Sequence, residues 1–113
     1  MANLRKIYGC PVELSLELLG GKWKSVILAR LKQRPLRYGE LRRDIPALSD
    51  KVLSERLRSL SEMGLIETDI DSVGTVRYRL TSSGESLRPV LQALYDWGDA
   101  RAEELGVTIR ALE

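Results

Sequence analysis

The stretch GELRRDIPALSDKVLSERLRSLSEMG, from Gly39 to Gly64, decides the fold. Leu41 and Ile45 are spaced for the inner face of a short helix, and Pro46 ends it. Ser49 is a good N-cap for a longer helix from Asp50 to Met63, which Gly64 stops. At 100° per residue, Val52, Leu53, Leu57, Leu60 and Met63 gather on one side of that second helix. Lys51, Ser54, Glu55 and Arg58 fall on the other. A short helix, a tight turn and a longer amphipathic helix make a helix-turn-helix over about residues 39–63.

After Gly64 the period changes. Leu65 to Ile70 and Val76 to Leu80 read as two antiparallel strands around Asp71-Ser72-Val73-Gly74-Thr75, a wing over about 65–80. Ser82 with Glu85 forms a capping box that opens a final helix over about 82–105, carrying Leu87, Leu91, Leu94 and Trp97 and kinked at Pro89. Before Gly39, Leu36-Arg37-Tyr38 is too short to be more than an isolated strand. A helix from Lys22 to Lys32 places Trp23, Ile27 and Leu31 at i, i+4 and i+8, which favours core packing for Trp23, and it ends before Arg34-Pro35. Pro11 and Glu13 suit the first turn of an opening helix with Val12, Leu16 and Leu19 on one face, stopped by Gly20-Gly21. The expected class is mainly α (α+β): a winged helix-turn-helix with a two-stranded wing, 1–113 forming one domain.

Composition narrows the function. With no histidine and a single cysteine among 113 residues, the usual general base, the commonest metal ligand and any intrachain disulfide are missing, so neither an enzyme, a metal site nor a cofactor is expected. No run approaches the roughly 18 apolar residues that spanning requires, and the first residues lack a secretory pattern, so a cytoplasmic protein with no membrane partner is expected. The net charge of +2 hides a block: residues 22–43 hold eight basic side chains and one acidic, which suits a polyanion.

The polar face of the second helix carries groups of the kind that read base edges: Lys51, Ser54, Glu55 and Arg58, with Ser49 at its cap. Arg37, Arg42 and Arg43 are nearest for phosphates, and Ser72, Gly74 and Thr75 sit at the hairpin tip, where backbone amides and short polar groups can reach a phosphate or the minor groove. Arg77 shares a strand face with Arg79. The competing reading makes Lys51 with Glu55, and Arg58 with Glu62, i,i+4 pairs on a solvated helix. Arg56 falls inside the apolar arc, its stem packed and its head paired or reaching solvent.

The chain resembles the HxlR-type winged helix-turn-helix transcriptional regulators of bacteria and archaea. The matching blocks are Cys10-Pro11-Val12-Glu13, Leu19-Gly20-Gly21-Lys22-Trp23, Arg37-Tyr38-Gly39-Glu40-Leu41-Arg42-Arg43, Ile45-Pro46-Ala47-Leu48-Ser49, Val52-Leu53-Ser54-Glu55-Arg56-Leu57-Arg58, Gly64-Leu65-Ile66, Tyr78-Arg79-Leu80-Thr81 and Trp97-Gly98. It departs before Tyr78, where Val73-Gly74-Thr75-Val76 replaces the proline-containing stretch common in that family. The resemblance implies a homodimer joined by N- and C-terminal dimerisation helices, with two recognition helices in successive major grooves of an inverted-repeat operator in double-stranded DNA. Two-fold symmetry then sets half-site centres roughly 34 Å apart. Val12, Leu16, Val90, Leu94, Tyr95, Trp97 and Ala102 are the interface candidates, because the last helix holds more apolar residues than one stripe needs. Leu94 and Trp97 completing the core of a single copy is the alternative.

Several family members sense oxidants, quinones or aldehydes through a cysteine matching Cys10. A thiol at a helix N-terminus lies near unpaired amides and the positive dipole end, and Arg5 and Lys6 add charge if the arm folds back. Without a second cysteine, the chemistry open to Cys10 is alkylation, a mixed disulfide, or a bond to the partner subunit's Cys10. An inert, packed thiol is the alternative. The sequence therefore reads as a dimeric, sequence-specific DNA-binding regulator, expected to be a repressor, with Cys10 as a candidate sensor of an oxidant or small-molecule effector beside the inert-thiol reading. The rival is a winged-helix protein-interaction module that does not read DNA.

Overall fold

The computed structural model describes Leu4 and residues 6–110. Its elements run α1 (Pro11–Leu19), α2 (Trp23–Gln33), α3 (Tyr38–Asp44), α4 (Asp50–Glu62), β1 (Ile66–Ile70), β2 (Val76–Leu80), α5 (Ser82–Glu85) and α6 (Arg88–Leu105). Helix ends in the first half lie within a residue or so of expectation, the ordinary scatter of frayed termini.

Local chemistry accounts for most boundaries. Cys10 is the N-cap of α1, its Sγ accepting from the Val12 amide at 3.4 Å, and Glu13 takes the Gly9 amide at 2.8 Å. The Ser49 hydroxyl caps α4 by accepting from the Val52 amide at 3.1 Å. Glu40 reaches back to the Arg37 amide at 2.8 Å and closes the first turn of α3.

One cluster of buried side chains joins these pieces. Ile27, Leu28 and Leu31 of α2 meet Leu41 of α3, Leu53, Leu57 and Leu60 of α4, Ile66 and Leu80 at the wing root, and Leu91 of α6. Trp23 packs against the edge of this cluster, as its spacing predicts. The wing is antiparallel, with Ile66 opposite Leu80 and Ile70 opposite Val76, and only its root is buried.

Leu36 forms a single bridge outside the two strands, no more than its short run allows: it exchanges both backbone hydrogen bonds with Tyr78, at 3.0 and 2.7 Å, because the outer edge of β2 offers an unpaired amide and carbonyl there. One expectation is corrected. The C-terminal helix is not continuous. Thr81, rather than Ser82, is the N-cap, accepting from the Gly84 amide at 3.0 Å, and α5 lasts a single turn before the chain breaks at Ser86 and Leu87. Pro89 then falls in the first turn of α6, where a missing amide costs nothing, so it starts a helix instead of kinking one.

Gly84 welds the wing root to α5. It is buried, and a Cβ there would lie 2.1 Å from the Leu65 carbonyl oxygen. That same oxygen accepts from the Thr81 amide at 3.0 Å, so the approach is fixed from both sides.

Candidate nucleic-acid interface

The Leu53, Leu57 and Leu60 face of α4 is buried, so Lys51, Ser54, Glu55 and Arg58 are exposed together. Neither Lys51 with Glu55 nor Arg58 with Glu62 forms an ion pair; Glu55 faces Arg56 instead, at 3.9 Å. Among the described residues, Lys51, Arg58 and Arg43, in the last turn of α3, enter no ion pair or side-chain hydrogen bond. Arg56 is half-buried, with its head toward that carboxylate, as expected of a stem lying in the apolar arc.

The other expected phosphate contacts are committed elsewhere. Arg42 places Nε 2.8 Å from Asp50 and donates to the Leu48 carbonyl, bracing the turn between α3 and α4. Arg37 shares Glu40 with Arg34, at 3.4 and 3.2 Å. The Arg37 amide first, and then Arg34, hold the Glu40 carboxyl down to about 2 from an ordinary 4.5. Ser49 spends its hydroxyl as the α4 cap.

A polar cluster that sequence reasoning missed links the start of α3 to the exposed face of α4. The Tyr38 hydroxyl sits 2.9 Å from Asp50 Oδ1, 3.3 Å from the Asp50 carbonyl oxygen and 3.3 Å from Ser54 Oγ. Tyr38 and Ser54 are 16 residues apart on different helices, so no local pattern announces the contact.

At the wing tip, Gly74 takes the left-handed φ of 86° that the hairpin needs. Of the tip amides expected to reach a phosphate, those of Gly74 and Thr75 are already engaged. Asp71 Oδ1 accepts from the Val73 and Thr75 amides, both at 2.9 Å, and the Gly74 amide donates to the Asp71 carbonyl at 3.1 Å. Arg77 is bound to Asp71 Oδ2 at 2.6 Å, and Arg79 pairs with Glu67 across the ladder at 2.7 Å. The Thr75 amide, followed by Arg77, holds the Asp71 carboxyl below the usual range.

A separate surface is apolar. α1 buries none of its residues: Val12 and Leu16 are 60% and 65% exposed. On α6, Leu94 and Trp97 are 53% and 65% exposed, so they do not complete the core of a single copy. Val90 and Tyr95 are exposed beside them, and Ala102 is half-buried. Cys10, also exposed, stands at the start of α1; Arg5 lies outside the described residues. Among the described residues, no group of histidine, cysteine, aspartate or glutamate could hold a metal ion, and no helix is long and apolar enough to cross a membrane.

Comparison with known proteins places this geometry. The family model for the HxlR-like helix-turn-helix matches residues 18–105. An HTH-type transcriptional regulator of Methanothermobacter thermautotrophicus, itself uncharacterised, is 41% identical over 93 residues, which are 80% of this chain and 71% of that protein. The redox regulator HypR in its reduced form superposes with a TM-score of 0.78 at 29% identity, covering 86% of this chain and 98% of that one. The quinone-bound YodB of Bacillus subtilis gives a TM-score of 0.67 at 34% identity, over 80% and 99% of the two chains.

Proposed function

This chain belongs to the HxlR-like helix-turn-helix family of transcriptional regulators, and from that premise we propose that it is a homodimeric repressor that binds an inverted-repeat operator in double-stranded DNA. Residues 1–113 act as one winged helix-turn-helix domain. The observation that carries the reading is that Lys51 and Arg58 on the outer face of α4, and Arg43 near the end of α3, lack carboxylate partners among the described residues. Lys51, Ser54, Glu55 and Arg58 read base edges, and Arg43 takes phosphate. Arg37 and Arg42 reach the backbone only by leaving their present partners, and Ser49 contributes chiefly as the cap. The Thr75 hydroxyl and the Gly74 backbone carry what contact the wing tip makes, while Arg77 first has to leave Asp71.

Two copies join through the apolar faces of α1 and α6, with Val12, Leu16, Val90, Leu94, Tyr95, Trp97 and Ala102 in the interface. Cys10 is the sensor. Its exposure at the α1 cap supports this, as do two of the similar structures: HypR is a redox regulator, and YodB carries a quinone. Oxidation of two Cys10 thiols, one from each copy, yields one disulfide as two electrons and two protons pass to the oxidant. A quinone instead adds to a single Sγ, forming a thioether as the ring gains the thiol proton. Either change strains the dimer helix and turns one recognition helix relative to the other.

Titration of the DNA upstream of the chain's own gene, beside random DNA at two salt concentrations, tests the reading. Specific, salt-sensitive binding that diamide or a quinone abolishes, and that Cys10→Ser protects, is expected. Specific binding indifferent to oxidant removes the sensor and keeps the regulator. No preference for the native fragment at either salt overturns DNA reading in favour of a protein-interaction module.

A further inference from the structure

The hydroxyl of Tyr38, the first residue of α3, meets three oxygens, and a phenol carries one proton. Two of those oxygens belong to Asp50 and only accept: the backbone carbonyl and a carboxylate held 2.8 Å from Arg42 Nε. The phenol proton is therefore spent on Asp50, the nearer carboxylate oxygen lying at 2.9 Å. Toward Ser54 the phenol oxygen has lone pairs alone to offer, so across the 3.3 Å contact the serine hydroxyl must donate. With its proton turned inward, Ser54 faces solvent with acceptor lone pairs only.

We infer that Tyr38 fixes Ser54 as an acceptor on the recognition surface, so that this position selects a base with an exocyclic amino group in the major groove, adenine or cytosine on the contacted strand. Guanine and thymine present acceptors, with a methyl on thymine, and are rejected. The inference rests on the DNA-reading role of α4 proposed above. A serine hydroxyl with a free rotor donates or accepts and pairs with either kind of edge. Discrimination therefore comes from a tyrosine that touches no base. Tyr38 is a positioning residue: its ring packs half-buried against the core, a place that phenylalanine also fills. Arg42 belongs to the same device, since its pairing keeps the Asp50 carboxylate in reach of the phenol and offsets its charge near the phosphates.

The test starts from operators that the full chain selects out of a random duplex library. Each base pair of one half-site is then replaced in turn, and binding is measured by competition for the native chain, Tyr38→Phe and Ser54→Ala. The native chain is expected to show one position where adenine or cytosine outbinds guanine or thymine roughly two- to tenfold, the worth of one hydrogen bond. Tyr38→Phe flattens that position and no other, leaving binding to random DNA unchanged. Ser54→Ala flattens the same position, which locates it even where the phenylalanine variant folds poorly. Lost stability alone weakens every position equally. A Ser54-dependent position that prefers guanine or thymine, or an unaltered base profile in Tyr38→Phe, overturns the inference. A native chain that selects no sequence overturns the DNA-reading role itself, and this inference with it.

Discussion

On α4, Lys51 and Arg58 stand clear of every carboxylate among the described residues, whereas on the wing Arg77 lies 2.6 Å from Asp71 and Arg79 lies 2.7 Å from Glu67. Both regions expose cations, so exposure does not separate them; commitment does. The reason is geometric. In the ladder Glu67 stands opposite Arg79, so the pleat itself brings opposite charges together. On the helix, each cation precedes its acid by four residues, the weaker orientation for an i,i+4 pair. The helix thus leaves these two cations uncompensated by its own acids, while the wing neutralises most of its own.

Four experiments break or sharpen that contrast. The largest effect is expected where the wing root meets α5: Gly84→Ala forces a Cβ against the Leu65 carbonyl and should cost about 3 kcal/mol or more of stability, read from denaturant unfolding. Next, Lys51→Ala and Arg58→Ala should each lose about 1 to 3 kcal/mol on the preferred operator, with Arg77→Ala losing clearly less. An equal loss at Arg77 in competition binding would erase the distinction. Asp71→Asn keeps an oxygen for the Val73 and Thr75 amides but releases Arg77, so binding to random DNA should tighten and its logarithmic salt slope steepen by up to about one. The smallest effect belongs to the α3 cap. The Glu40 carboxyl is lowered from 4.5 to about 2, so its contribution to stability is whole above pH 4.5 and is lost as the pH falls through 4.5 toward 2. Glu40→Gln should flatten that part of the stability curve, and an unchanged acid limb would mean that the cap contributes nothing.

What was legible in the sequence was whatever repeats at short range. The leucine spacing of α4 announced its two faces, Ser49 announced its cap, and the β-branched run after Gly64 announced the wing. The misses share another cause. Thr81 and Ser82 are adjacent and both can cap a helix, serine locally the better, and the choice of Thr81 goes with Gly84 seating under the Leu65 carbonyl, a contact between distant segments. Pro89 fits a kink or a first turn equally well until the break at Ser86 and Leu87 is known. The Asp71 clamp needed the turn geometry, and the Tyr38 cluster needed α3 and α4 docked. Charge position along the chain was readable; charge pairing across it was not.

The bare surface of α1 carries a thermodynamic consequence. A nine-residue helix with no fully buried residue is below the length at which isolated helices persist in water; among its supports are the Cys10 cap, the Glu13 reach to Gly9, the Ser15 hydroxyl on the Pro11 carbonyl and, at its end, Leu19 packed on the edge of the core. In a single copy its amide protons should exchange almost as fast as those of an open chain, while those of α2 and α4 wait for global unfolding. In the dimer proposed above, the surface that covers Val12 and Leu16 adds to the free energy that folds the helix beneath them, and a segment ordered in part by its neighbour reports a change in that neighbour as melting.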